Sequence, residues 1–144
     1  MKKRNKKITA GILVIGNEIL SGRTIDKNIS FLALWLNSNL GIKVTEVRII
    51  PDNETKIVKN VISLSKRNNY VLTTGGIGPT HDDITSDAVA FAFGKKLIMN
   101  IEAKRRLEKH YSDDVLTNAR LKMAYLPEDA NLIDNPISIA PGFF

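Results

Sequence analysis

The chain has no cysteine among its 144 residues, and this absence excludes several kinds of site. Disulfide bonds, zinc–thiolate centres and a cysteine nucleophile are all ruled out. A protein without cysteine fits a reducing compartment, so we expect a cytoplasmic location. The sequence also lacks the run of about 18 apolar residues that a membrane-spanning helix needs, so we expect no membrane partner.

An excess of basic residues is found only at the start of the chain. The formal net charge is +6, from 21 Lys and Arg against 15 Asp and Glu. Five of the basic residues fall within residues 1–7, which leaves 16 basic and 15 acidic residues for the rest. Because that remainder is nearly neutral, we expect no nucleic-acid partner. We interpret residues 1–7 as a solvated basic tail that precedes one domain, residues 8–144.

Strand-like and helix-like segments alternate along that domain. Ile8–Ile15 is an apolar run directly after basic residues, as in the h-region of a secretory signal. It ends in a polar loop with no cleavage site, however, so we predict a first core strand. Alternation of this kind predicts an α/β fold of three layers, with a mostly parallel sheet and helices on both faces. Further strands are predicted at Lys43–Ile50, Tyr70–Thr74, Lys95–Met99 and Asn131–Asp134, and helices at Phe31–Leu40, Ile57–Leu64, Thr85–Phe93, Ile101–Tyr111 and Asn118–Tyr125.

Individual residues within these segments also have expected roles. Trp35 lies at helical spacing among apolar residues, so we expect it in the core. Thr85 is predicted to cap the helix that follows it, and either Asp52 or Asn53 is predicted to cap the helix before Tyr70. A catalytic role is an equally open alternative for Asp52.

A glycine-rich loop follows the strand Tyr70–Thr74. Gly75, Gly76 and Gly78 have neither the dinucleotide-binding nor the P-loop spacing. A strand, a glycine turn and a helix start can cradle a phosphate through free N–H groups and the helix dipole, although a turn without a ligand would need the same glycines. Asp82 and Asp83 favour the first interpretation, because carboxylates beside a phosphate call for a cation or for acid–base chemistry.

These residues resemble a known family. The string Thr-Thr-Gly-Gly-Ile-Gly, followed by Asp83 and Thr85, resembles the signature of the MoaB/Mog molybdopterin-binding domains. The longer form, with Pro-Thr-His-Asp-Asp-Ile-Thr, is similar to the CinA-like (competence/damage-inducible) branch. Other matching patches are Gly16–Gly22 with Asp26 and Asn28, Pro51-Asp52, Asn118–Pro127, Asn135-Pro136 and Ala140–Gly142. The resemblance therefore runs from about Ile8 to Gly142.

The resemblance and the expected meeting of strand-end loops at one rim of the sheet define a candidate site. Asp52 and Asp83 stand where the family has aspartates tied to catalysis or metal binding, so we predict both as catalytic residues. Asp82 and Asp83 are predicted ligands of a divalent cation, although a solvated loop charge is the simpler interpretation of Asp82. The predicted ligand-binding residues are Asn17, Glu18, Gly22, Asp26, Asn28, Thr74, Gly75, Gly76, Gly78, Pro79, Thr80, Thr85, Pro141 and Gly142.

The resemblance leaves three functions open. The CinA-like branch implies metal-dependent hydrolysis of a pyrophosphate such as ADP-ribose or FAD. The wider family implies molybdopterin binding and adenylylation in molybdenum-cofactor synthesis. The third is a non-catalytic remnant or oligomerisation module, because the chain stops at Phe144 where the family usually has one more strand and loop. A phosphorylated nucleotide or pterin is the expected small-molecule partner, and relatives imply a homo-oligomer.

Overall fold

Strands and helices alternate through the chain, as the sequence pattern predicts. The computed structural model describes residues 7–112 and 115–144, so all but Lys7 of the predicted basic tail lies outside the described residues. The elements are β1 (Thr9–Ile15), α1 (Asn17–Leu20), α2 (Asn28–Leu40), β2 (Lys43–Ile50), α3 (Glu54–Ser65), β3 (Tyr70–Thr74), α4 (Thr85–Ala92), β4 (Leu97–Met99), α5 (Ile101–His110), α6 (Asn118–Lys122), β5 (Tyr125–Pro127), β6 (Leu132–Ile133) and β7 (Gly142–Phe143).

A three-stranded parallel sheet forms the centre of the molecule, in the order β2-β1-β3. The middle strand, β1, is buried from Ala10 to Ile15. Its nearly continuous apolar sequence follows from this position, because a parallel strand covered on both faces has no solvent side. Ile15 lies opposite Ile50 of β2, and Val14 lies opposite Thr74 of β3. The three strands therefore end side by side.

Helices cover both faces of this sheet. On one face, Leu36 of α2 packs with Ala10 and Ile42. On the other face, α3 and α4 pack against β1, and the cluster there includes Leu13, Ile57 and Ala88. This arrangement confirms the predicted α/β fold with helices on both sides of a parallel sheet.

The segment from β4 to β7, which we call the C-terminal lobe, has a core of its own. Ala103 and Leu107 of α5 pack there with Met123 and Leu126. Its strands form two antiparallel pairs, β4 with β5 and β6 with β7, and β5 lies against α4. The lobe is thereby joined to the helix that begins after the glycine-rich loop.

One helix of the C-terminal lobe is shorter than the sequence predicts. The helix expected to reach Tyr125 ends at Lys122, and Tyr125–Pro127 instead forms β5. Pairing with β4 satisfies the backbone of this segment, and Leu126 is almost fully buried by it. Tertiary packing therefore overrides the helical spacing of Asn118–Tyr125.

The outer face of α2 is apolar and exposed. Phe31, Leu34 and Trp35 are 65%, 69% and 44% exposed. The prediction of Trp35 as a core residue is therefore wrong: Leu36 is the buried residue of this helix, so α2 turns the tryptophan away from the sheet. None of the helices in the described ranges has the length and apolar character required to cross a membrane.

Candidate functional site

The candidate site lies where the three parallel strands end. Because Ile15, Ile50 and Thr74 stand side by side in the sheet, the loops that follow β1, β2 and β3 leave from the same edge. This is the edge at which open α/β sheets bind their ligands. The predicted convergence of the three loops is therefore present in the structure.

Asp52 joins the first two loops. Its carboxylate accepts a hydrogen bond of 2.8 Å from the backbone N–H of Asn17, at the start of α1. The N–H of Gly16 donates to the carbonyl of Ile50, which ties the same two loops by their backbones. The capping role belongs to Asn53, whose side chain accepts the N–H of Lys56 in the first turn of α3. Of the two alternatives, Asn53 is the cap and Asp52 faces the neighbouring loop.

Two glycines let the third loop turn directly against its neighbours. Gly75 has φ +93°, and a Cβ there would overlap the carbonyl oxygen of Ile15, well inside the 3.0 Å that real Cβ contacts keep. Gly76 has φ +66°, and a Cβ there would overlap the hydroxyl of Thr85. Both positions exclude side chains for conformational and for packing reasons. The loop is therefore pressed between the end of β1 and the start of α4.

Thr85 fastens this turn from inside. The residue is completely buried, its hydroxyl donates to the carbonyl of Gly75 at 3.0 Å, and its N–H donates to the carbonyl of Gly76 at 3.0 Å. The prediction of Thr85 as an N-cap is wrong, because Thr85 is the first residue of α4 and the cap position is held by Ile84. Its hydroxyl is committed to the glycine turn instead.

The carboxylate of Asp83 lies within the loop. It accepts the N–H of Thr80 at 2.8 Å and the hydroxyl of Thr80 at 2.6 Å, and it also accepts the N–H of Gly78. Partial burial acts to raise the pKa of Asp83, but these hydrogen bonds and the charge of Lys122 outweigh it, so the pKa lies below its usual value. The N–H of Gly78, one of the glycine N–H groups expected to face a phosphate, is thus already bound to an anion.

Lys122 holds the outside of the same loop. Its ammonium donates to the carbonyl of Asp83 at 2.7 Å and to the carbonyl of Thr80 at 3.3 Å. The lysine comes from α6, so the C-terminal lobe contributes directly to the candidate site. No local signal in the sequence points to this contact, because Lys122 lies 39 residues after Asp83 in a segment whose pattern is that of an ordinary helix.

The neighbouring Asp82 is exposed and pairs with His81. The side chains of His81 and Asp82 are 91% and 65% exposed, and Nε2 of the histidine lies 3.0 Å from the carboxylate. This arrangement agrees with the simpler interpretation of Asp82 as a solvated loop charge.

The described residues do not form a resident metal cage. Within 7–112 and 115–144, no group of three His, Cys, Asp or Glu side chains is placed to hold a metal ion. Asp83 is also engaged by the N–H and O–H donors of its own loop. The described residues alone therefore do not supply three ligands for a divalent ion, although such ions often bind through one or two carboxylates plus the phosphate oxygens of a substrate.

The other predicted residues of the first loop lie on or beside α1 and α2. Glu18 is in α1, and its carboxylate lies against Gly16, where a Cβ would be 2.6 Å from Oε1. Gly22 has φ +73° just after α1, and Asp26 accepts the N–H of Ile29 at 2.7 Å in the first turn of α2, which begins at Asn28. The structure uses Asp26 to organise the loop.

Pro141 and Gly142 lie apart from the glycine-rich loop. Gly142 pairs with Ile133 in the C-terminal lobe, and Pro141 lines a separate hollow together with Arg106 and Asp134. No hydrogen bond among the described residues joins these two to the glycine turn. Thr74 ends β3 opposite Val14, next to that turn, and Pro79 lies within the loop between Gly78 and Thr80.

A larger hollow of about 510 Å³ lies along the outer edge of β3. Its walls are mainly apolar and include Val71, Phe93 and Phe143, and its charged pair, Lys95 with Asp129, is closed by a 2.8 Å contact. The glycine-rich loop does not line it. We therefore place the candidate site at the strand ends, where the convergent polar groups lie.

Comparison with known proteins supports the resemblance to the molybdopterin-binding domains. The family model described as "Probable molybdopterin binding domain" matches residues 11–143. A protein of Metallosphaera sedula is 43% identical over 139 residues, which are 94% of this chain and 52% of that protein. A Clostridium botulinum protein named as competence-damage inducible is 35% identical over 136 residues, 93% of this chain and 33% of that protein. The chain thus spans between a third and about half of these relatives.

Solved structures give the same answer. The crystal structure of the protein CinA from Thermoplasma acidophilum, described as of unknown function, matches with a TM-score of 0.89 and 33% identity, covering 95% of this chain and 80% of that one. The tungsten cofactor synthesizing protein MoaB from Pyrococcus furiosus matches with a TM-score of 0.58 and 19% identity, covering 91% and 76%. The second match shows the fold alone. The chain belongs to the molybdopterin-binding domain family, in its CinA-like branch.

Proposed function

We propose that the chain binds the phosphate groups of a nucleotide or pterin at the glycine-rich loop, and that the binding serves hydrolysis of a pyrophosphate such as ADP-ribose or FAD. The observation that carries the proposal is the position of the loop. Gly75 and Gly76 set the turn directly between the ends of β1 and β3 and the start of α4, with Asp52 on the adjacent loop. A helix of this kind directs its N-terminal N–H groups and its dipole at an anion.

The position of Asp83 supports a substrate that carries its own cation. A phosphate that reaches the loop meets a carboxylate already bound to the N–H groups of Gly78 and Thr80. A phosphate and a carboxylate that meet in one loop repel each other unless a cation lies between them. We therefore propose that the pyrophosphate enters as its complex with a divalent cation, with Asp83 and the exposed Asp82 facing that cation.

Asp52 is the proposed second carboxylate of the reaction. It lies on a different loop from Asp83 and holds the first loop through the N–H of Asn17. A carboxylate at this place is suited to accept a proton from the water that attacks phosphorus. The proposal thus separates substrate binding at the glycine turn from proton transfer at the neighbouring loop.

A thermal-shift screen tests the binding step first. ADP-ribose, FAD, ATP and a pterin phosphate are each added with and without Mg²⁺. A ligand at roughly 100 times its Kd stabilises the folded state by about 2.7 kcal/mol, which raises the melting temperature by several degrees in a domain of this size. We expect this rise for a pyrophosphate only when Mg²⁺ is present. A folded protein whose melting temperature does not respond to any of the four would contradict the proposal.

A hydrolysis assay on the responding compound tests the chemistry. Asp52→Asn and Asp83→Asn should each abolish cleavage of the pyrophosphate bond, measured as the appearance of the two monophosphate products (AMP is one of them for ADP-ribose and for FAD). Glu108→Gln, which removes one charge from the exposed surface of α5, should leave this cleavage unchanged. Equal activity of all three variants would refute the two catalytic assignments.

Binding of a pterin without hydrolysis is the second candidate function. The family match to a molybdopterin binding domain favours it, and the fold it shares with MoaB is compatible with it. In that case a pterin phosphate alone would raise the melting temperature, and molybdopterin would stay bound through purification. Retention of the pterin without cleavage of any pyrophosphate would replace the hydrolase proposal by this one.

We also propose that the chain forms a homo-oligomer through the apolar face of α2. Phe31, Leu34 and Trp35 lie three and four residues apart, so they share one side of the helix, and all three are exposed. A second copy is the proposed occupant of this face. Light scattering should give a mass above the 16.0 kDa of one chain, and Trp35→Glu should return it to that of the single chain. Self-association of this kind is also what the non-catalytic alternative requires, and such a protein would assemble without any ligand response.

A further inference from the structure

The ammonium of Lys122 lies at an unusual place for an ordinary surface lysine. The residue is partly buried, and its hydrogen bonds go to two backbone carbonyls of one loop, those of Thr80 and Asp83. A lysine at a protein surface normally keeps its charge in water. Here the charged ammonium instead binds the backbone of the loop that holds the Asp83 carboxylate.

The carboxylate of Asp83 and the ammonium of Lys122 both bind the short segment 80–83. From inside the loop, the Asp83 carboxylate binds the N–H and the hydroxyl of Thr80. From outside, Lys122 binds the carbonyls of Thr80 and Asp83, and the N–H of Asp83 donates to the carbonyl of Thr80. Hydrogen bonds in which one partner is charged are stronger than those between neutral groups. The loop is therefore held closed by one anion and one cation.

Lys122 also changes the charge that a ligand meets. Asp82, Asp83 and Asp87 all lie in or directly after the loop, and the described residues contain no metal cage that would offset them. A small hollow at this point is lined by Gly78, Asp83 and Asp87 together with Lys122. The lysine thus brings a positive charge to a surface that would otherwise repel a phosphate.

We propose that Lys122 is a positioning residue for the glycine-rich loop: the C-terminal lobe uses it to hold the loop in the form that receives a phosphate and to offset the carboxylates beside it. The proposal rests on the phosphate-binding function proposed above and adds to it a residue from a different part of the fold. Lys122 acts through Thr80 and Asp83.

The test compares Lys122→Met with Lys122→Arg and with a control lysine. Lys59→Met makes the same chemical change on the exposed surface of α3, away from the loop. Hydrogen–deuterium exchange of the segment 77–84 is measured first, without ligand. We expect exchange in Lys122→Met to be roughly tenfold faster than in the wild type, because a lost charged hydrogen bond of about 1.4 kcal/mol corresponds to that factor. Lys122→Arg should restore slow exchange, and Lys59→Met should not differ from the wild type.

Binding of magnesium pyrophosphate is measured on the same four proteins by titration calorimetry. Lys122→Met should bind at least tenfold more weakly than Lys59→Met, and Lys122→Arg should recover most of the affinity. Equal affinity of the two methionine variants, or unchanged exchange of segment 77–84 in Lys122→Met, overturns the inference. Failure of the wild type to bind magnesium pyrophosphate would count against the proposed function, and the exchange measurement would still decide whether Lys122 holds the loop.

Discussion

The most direct test of the packing at the strand ends is Gly75→Ala. The added Cβ would be placed at φ +93° and would overlap the carbonyl oxygen of Ile15. The backbone conformation costs about 1–3 kcal/mol for a residue with a side chain. The overlap adds a similar amount, roughly 1–3 kcal/mol, because Ile15 is buried and paired with Ile50, so its carbonyl has no room to move. We expect a total loss of about 2–6 kcal/mol in the free energy of unfolding, which is a large part of the total stability of a domain of this size.

Gly94→Ala is the matched control for this experiment. Gly94 also has a positive φ, +63°, but a Cβ there would have nothing within 4 Å. This variant should therefore lose only the conformational part, about 1 kcal/mol. Urea unfolding followed by circular dichroism measures both variants, and the melting temperature of Gly75→Ala should fall by roughly 10 °C. Equal losses in the two variants would show that the contact with β1 is not tight and would refute the reasoning.

Three further predictions concern the residues around this turn. Thr85→Val keeps the shape of the side chain but leaves the carbonyl of Gly75 without its donor, so urea unfolding should show a loss of about 1–3 kcal/mol; no loss would mean that the hydroxyl does not serve the turn. The pKa of Asp83 is lowered in the folded state, so its ionised form adds stability above the unfolded value near pH 4, and this contribution disappears as the pH falls through the folded pKa. Unfolding at several pH values should therefore show that Asp83→Asn loses less stability below pH 4 than the wild type does. Parallel curves of unfolding free energy against pH would contradict the role of the hydrogen-bonded carboxylate. Asn53→Ala should cost about 0.5–2 kcal/mol through the lost cap on Lys56, measured by the same unfolding assay, whereas an unchanged midpoint would remove the capping role.

The sequence predicts the central part of the fold well because the signals there are local. A continuous apolar run makes β1 a buried strand, and the glycine turn after β3 follows from the backbone conformation that Gly75 and Gly76 allow. The carboxyl ends of parallel strands necessarily meet at one edge, so the convergence of the loops could be predicted without coordinates. These features follow from the spacing of apolar residues along the chain and from the geometry of the backbone.

Features that depend on distant partners could not be predicted in this way. Trp35 has the spacing of a core residue, but the position of α2 on the sheet leaves it exposed. Tyr125 continues a helical pattern, but pairing with β4 makes it a strand. Thr85 has the sequence position of a helix cap, but the approach of Gly75 makes the carbonyl of that glycine the partner of its hydroxyl. The contact of Lys122 with Asp83 spans 39 residues and has no sequence signal at all.

The separate core of the C-terminal lobe has a consequence for how the molecule opens. Elements with their own packed cluster exchange and unfold as cooperative units, at a lower free energy than the whole molecule. Opening of the C-terminal lobe as such a unit would take Lys122 away from the loop together with Met123 and Leu126, which belong to the core of the lobe. Occupancy of the loop and closure of the lobe would then be linked equilibria, and we expect a ligand that prefers the held loop to slow hydrogen exchange in α5 as well.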